Sequence, residues 1–162
     1  MPSAKPDFDL QAAHRYFAPS AFNLAWKFLD LPERTADDAE HLLEASYASL
    51  WHWRQRDDCE PRRLAVGYWQ LSRIFAVLGR AAGAEHYGQL SLKYASDGTK
   101  PFFRGYAYEA LARAAALAGD EHACHERLEQ ARRWAEQVDE ADEQKTLLDD
   151  LATITVAPRP QP

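Results

Sequence analysis

An all-α fold of about seven helices is the expectation for this 162-residue chain, and three observations lead to it. Apolar residues recur at spacings of three and four nearly everywhere, the period of one helix face rather than the alternation of a strand. Val and Ile are sparse, so the β-branched runs that favour strands are missing. One stretch is also written twice, forty residues apart. Tyr68, Leu71, Ser72, Phe75, Gly79, Ala84, Gly88 and Ser91 are answered by Tyr108, Leu111, Ala112, Ala115, Gly119, Cys124, Leu128 and Ala131. Each copy begins a helical stripe with an aromatic residue, ends it at a glycine and starts a second helix at once. Such self-similarity marks antiparallel helix pairs that bury their apolar faces against neighbouring pairs.

The elements follow in order. Residues 1–9 hold Lys5 but no apolar run, and are expected to be flexible, without a secretory signal. A first helical region covers about Leu10 to Leu29, with Pro19 expected to break it into a short leader and a main helix from Ser20. Pro32 closes it. Thr35 or Asp37 then caps a second helix ending near Gln55, whose apolar positions include Leu42, Ala45, Tyr47, Leu50 and Trp51. After Asp57, Asp58, Cys59, Glu60 and Pro61, the third and fourth helices run from about Arg62 to Leu78 and Ala82 to Ala95, hinged at Gly79. Asp97, Gly98, Thr99, Lys100 and Pro101 form the longest internal loop. The fifth and sixth helices cover about Phe102 to Ala118 and Glu121 to Val138, with Gly119 stopping one and Asp120 capping the next. A last helix, about Glu140 to Ala152, sets Leu147, Leu148 and Leu151 against acids, as a terminal cap of a solenoid would. One domain is expected over 10–156, and the proline-rich tail 157–162 reads as disordered.

The second copy, from Gly105 to Ala131, resembles the tetratricopeptide repeat family. Tyr108 stands at the large first position, Leu111 and Ala112 at the leucine and small positions, and Ala115 at the mid-helix contact. Gly119 and Asp120 make the turn, and Cys124, Leu128 and Ala131 take the packing positions of the second helix. A further copy is suggested upstream by Ala21, Leu24, Ala25, Phe28, Ala45 and Ser49. The forty-residue spacing exceeds the family's period of about 34 residues. The resemblance implies a short right-handed solenoid in which the first helix of each pair lines a concave groove. That groove would bind a protein or peptide through Trp26, Trp69, Arg73, Tyr106, Glu109 and Arg113. Arg73 and Arg113 are again one repeat apart, and two guanidinium groups beside aromatic faces suit an acidic or carboxylate-bearing segment. The alternative is that both arginines pair with Glu109 or other acids of the chain. The lysines and asparagines of the family's peptide-end clamp are absent.

Composition narrows the remaining classes. A net charge of −6, with basic residues scattered among acids, argues against nucleic acid. No window reaches the roughly 18 apolar residues of a membrane span. Cys59 and Cys124 read as free thiols of a reducing cytoplasm. The excess of arginine over lysine hints at a GC-rich bacterial genome. A homo-oligomer joined through an apolar helix face is the structural alternative to a binding module.

Chemistry-bearing clusters are few. His41, Glu44 and His52 fall near one face of the second helix and constitute the enzymatic alternative, a metal- or small-molecule-binding helical bundle. The paired Glu-x-x-His segments of two-metal bundles are missing. His122 and His125 share a face but signal no third ligand. No phosphate-cradling glycine loop and no nucleophile elbow occur. The reading is therefore a non-catalytic interaction module with no cofactor.

Overall fold

The computed structural model describes residues 7–96 and 98–156; of the end expected to be flexible over 1–9, residues 1–6 lie outside the described residues, as do the tail 157–162 and Asp97 of the loop. Among the described residues there are seven α-helices and no strand: α1 Leu10–Leu29, α2 Ala36–Gln55, α3 Pro61–Val77, α4 Ala81–Tyr94, α5 Pro101–Ala118, α6 Glu121–Ala135 and α7 Ala141–Ala152. Where the sequence suggests one domain over 10–156, the chain gathers into two compact units, one ending at Glu60 and one beginning at Pro61.

The first unit is the α1–α2 hairpin. Asp9 starts α1 by accepting hydrogen bonds from the amides of Gln11 and Ala12. Pro19 does not end this helix, contrary to the sequence reading: α1 runs through it unbroken. The ring removes the N–H that would reach the Arg15 carbonyl, and serine hydroxyls bond two other carbonyls of the same stretch. Ser20 Oγ donates to the Tyr16 carbonyl at 2.7 Å, and Ser49 Oγ of α2 donates to the Ala18 carbonyl at 2.8 Å. Packing against α2 thus holds a helix that propensity alone would interrupt. Thr35 caps α2 in a reciprocal box with Asp38, each side chain taking the other's amide. Leu42, Leu43, Ala45, Leu50 and Trp53 are buried on α2, whereas Tyr47 and Trp51, also among its apolar positions, are exposed.

The second unit stacks antiparallel pairs. α3 packs on α4, α5 lies against both, α6 packs on α5, and α7 closes over α5 and α6. The forty-residue repeat reappears in the backbone. Gly79 and Gly119 have φ of 72° and 73°, a left-handed conformation that glycine adopts at low cost. Around each the same bonds close the helix: Arg80 N–H to Phe75 and Gly79 N–H to Ala76 in one copy, Asp120 N–H to Ala115 and Gly119 N–H to Ala116 in the other. Pro101, assigned to the loop from sequence, instead occupies the first turn of α5, where its missing N–H costs nothing.

The small residues sit where the helices cross. Ala84, Ala112 and Ala131 are fully buried. Ser72 Oγ donates to the Ala84 carbonyl at 2.7 Å and Ser91 Oγ to the Ala65 carbonyl at 2.9 Å. A Cβ at Gly88 would come within 2.8 Å of Leu111 Cδ2, so the glycine lets α4 approach α5 closely. Leu71, Ile74, Leu111 and Leu147 complete the core, each stabilising by about 1.5–3 kcal/mol on full burial. On α7, Leu147 and Leu151 face inward while Leu148 points to solvent.

Candidate binding groove

α3 and α5, the first helices of the two pairs, present their side chains in step. Val66, Trp69, Arg73 and Val77 follow one another at spacings of three or four along α3; Phe102, Tyr106, Glu109, Arg113 and Leu117 do so along α5. At one end, Ala65, Val66, Trp69, Phe102, Phe103 and Tyr106 enclose, with Ser91, an apolar cavity of about 200 Å³. At the other, Arg73, Val77, Arg113 and Leu117 border an open cleft of about 290 Å³ with Ala76, Ala116 and residues Thr153–Thr155.

Between the two lies a buried carboxylate. Glu109 is wholly inaccessible, accepts a hydrogen bond from Trp69 Nε1 at 2.9 Å on one oxygen and is held by Arg113 Nε on the other. Arg113 also donates from Nη2 to the Asp150 carbonyl at 3.1 Å and to Thr153 Oγ1 at 2.7 Å, which ties α5 to the end of α7. Tyr106 lies edge-on to Trp69 and donates its hydroxyl to Asp150 Oδ2 at 2.7 Å. Burial, reinforced by the Asp150 carboxylate, pushes the Tyr106 phenol well above its usual range, so it stays a proton donor.

The arginines that sequence treats as a matched pair therefore differ. Arg113 has a carboxylate one turn before it on its own helix, and position 109 is that acid. In the preceding copy the same position holds Trp69, so Arg73 has no acid at that place. Arg73 Nη1 comes only within 3.7 Å of Glu109 Oε1, an ion pair without a hydrogen bond, and is buried. Among the described residues the Arg73 guanidinium has no hydrogen-bond partner, although part of its side chain reaches solvent at the cleft. Arg113, by contrast, is committed to its own chain.

Five of the six expected groove residues thus belong to one cluster in the second unit. Glu109 forms its interior rather than its surface. Trp26 belongs to the first unit, edge-on to Phe22. Asp150, Thr153 and Phe103 were not legible as members, since only the packing of α7 and the start of α5 brings them there.

The second-helix histidine set is not one cluster. His41 and Glu44 line a shallow cleft of about 360 Å³ with Ala21, Leu24 and Phe28, and His41 Nδ1 stands 3.8 Å from Asp37 Oδ2. His52 lies eleven residues on, about 16 Å along the helix axis, and its Nδ1 meets that of His14 on α1 at 2.8 Å. Among the described residues no group of three or more His, Cys, Asp or Glu is disposed to hold a metal. His125 Nδ1 is engaged by the Glu121 carbonyl of its own helix. Cys59 and Cys124 are free thiols, and burial pushes the Cys124 thiol up from its usual range.

No helix among the described residues is long and apolar enough to cross a membrane. Comparison with family models, with curated proteins and with solved structures gave no match.

Proposed function

We propose that this protein is a non-catalytic, tetratricopeptide-like binding module of the cytoplasm, whose α3/α5 groove holds a protein or peptide segment bearing a carboxylate. The observation that carries the reading is Arg73: a guanidinium at the mouth of a cleft, with no hydrogen bond among the described residues. A charged donor set left unmet costs stability, and a carboxylate meets it with short, charge-assisted bonds. The apolar cavity next to Trp69 and Tyr106 offers a place for a neighbouring hydrophobic side chain. The forty-residue repeat and its paired glycine turns support the family likeness, and the two free thiols suit a reducing compartment.

The test is fluorescence anisotropy with an array of labelled peptides that combine an aromatic or aliphatic residue with a carboxylate, each matched to its amide. Selected carboxylates should bind more tightly than their amides by about 1.5–3 kcal/mol, and Arg73→Gln should erase that difference. Equal binding of carboxylate and amide, or an unchanged preference in Arg73→Gln, refutes the assignment.

A further inference from the structure

The first unit contains a contact that the binding reading does not use. His14 on α1 is buried, and its Nδ1 lies 2.8 Å from Nδ1 of His52 on α2. Two imidazole nitrogens at this distance share one hydrogen: one ring donates and the other accepts with its lone pair. The contact requires at least one neutral ring. If both rings are protonated, two N–H groups and two positive charges face each other.

The packing around the pair is aromatic rather than acidic. Trp51 packs on both rings, with centroids 5.4 Å from His14 and 5.0 Å from His52, and Phe17 covers His52 at 5.4 Å. From α1, the nearest charged neighbour in sequence is Arg15, which is paired with Asp57 at 3.0 Å. Beyond the end of α2, Arg56 is paired with Asp58 at 2.7 Å. Neither imidazole has a carboxylate partner among the described residues. Burial, and then the proximity of His14, hold His52 below the usual imidazole range.

The pair also sits where the hairpin is fastened. Gln11 Nε2 donates to the Gln55 carbonyl at 3.1 Å, and its Oε1 accepts from the Asp57 amide at 3.2 Å. Together with Arg15–Asp57 these contacts hold the first half of α1 on the last turns of α2. All but the histidine pair are solvent-exposed, where such bonds contribute little. We propose that His14 and His52 form a proton-operated latch: closed while they share one hydrogen, and released, with the first half of α1, when both rings are protonated.

The sign follows from linkage. Where the folded pair takes up its second proton less readily than the unfolded chain, hairpin stability is lost as pH falls below the free imidazole value of about 6.5. Hydrogen exchange of the amides of residues 13–18, followed by mass spectrometry on the full chain, reads the release. From pH 7.5 to 5.5, after correction for intrinsic rates, exchange should accelerate severalfold, as linkage requires where the folded pair resists its second proton. His52→Gln, which can still donate to the His14 ring, should flatten this dependence. A second reading needs no variant: at neutral pH, long-range ¹⁵N–¹H spectra of the wild-type histidines should show one of the two Nδ1 atoms protonated and the other bare, as a shared hydrogen at 2.8 Å requires. The same tautomer on both rings at neutral pH overturns the proposal, as does pH-dependent exchange that His52→Gln leaves unchanged.

Discussion

Trp69 and Glu109 occupy the same position in successive repeats, forty residues apart, and are joined side chain to side chain by a 2.9 Å hydrogen bond. One repeat supplies a donor with a large apolar body and the next a buried acceptor, so neighbouring first helices are fastened by the residues in which the copies differ. Divergence between the copies also leaves Arg73 without an acid one turn before it on its own helix, and only 3.7 Å from the one that Arg113 bonds. Structural glue and candidate binding group thus arise from one substitution within the repeat.

Glu109→Ala should be among the most damaging polar changes in the second unit. It would strand the Trp69 indole and the Arg113 guanidinium around an emptied buried site, and loss of one partner of a buried pair costs about 3–5 kcal/mol. Glu109→Gln keeps an acceptor for Trp69 and should cost less. Urea denaturation of both variants checks the order, and equal midpoints would show that the acceptor kept by glutamine is immaterial and that the lost charge carries the effect.

Arg73→Ala and Arg113→Ala should separate stability from binding. Arg73 has no hydrogen bond to lose and Glu109 keeps both Arg113 and Trp69, so its removal should cost clearly less than that of Arg113. Arg113 holds Glu109, Asp150 and Thr153, and its removal should cost about 1.5–3 kcal/mol through the buried acceptor left behind. Thermal melts paired with carboxylate-peptide titrations give both readouts. An early melt for Arg73→Ala with retained binding would reverse the assignment.

Gly79→Ala and Gly119→Ala should destabilise by similar amounts. Both positions have left-handed φ values near 72°, and a Cβ in that conformation costs about 1–2 kcal/mol. Parity between the variants is the informative outcome, because it measures the backbone repeat independently of side-chain neighbours. A cost at only one site would mean that the two turns are not energetically equivalent.

Ala112→Trp should be severely destabilising. The residue is fully buried among Cys124, Leu128 and Ala131, and overpacking such a site costs roughly 1–3 kcal/mol or more. A melt matching the parent would mean that the crossing of α5 and α6 can open at no cost.

Acid should loosen the start of α2. The hydrogen bonds from Thr35, first from its side chain and then from its amide, hold the Asp38 carboxyl below the usual carboxylate range. A depressed folded value means the contribution is fully present above the unfolded pKa of about 3.9 and is lost as pH falls through the folded value. The melting difference between the parent and Asp38→Asn should therefore be present at pH 6 and vanish near pH 2. A difference that persists in acid would assign the effect to shape rather than charge.

What the sequence determined by itself was local. The three-and-four spacing sets the helices, Gly79 and Gly119 stop two of them because only a residue without Cβ adopts positive φ cheaply, and Thr35 with Asp38 starts α2. The repeated small residues mark the close crossings, since a forty-residue period copies packing positions along with the helices. Tertiary structure decided the rest. Pro19 stays inside a helix packed on α2, where Ser49 bonds the Ala18 carbonyl, a contact that no local rule anticipates. The likeness of Arg73 and Arg113 dissolves because hydrogen bonds depend on what α7 and the other helix bring within 3 Å, and sequence offset carries no such distance. His52 faces His14 rather than His41 and Glu44 for the same reason: residues sharing a helix face can stand three turns apart, whereas those on packed helices can touch.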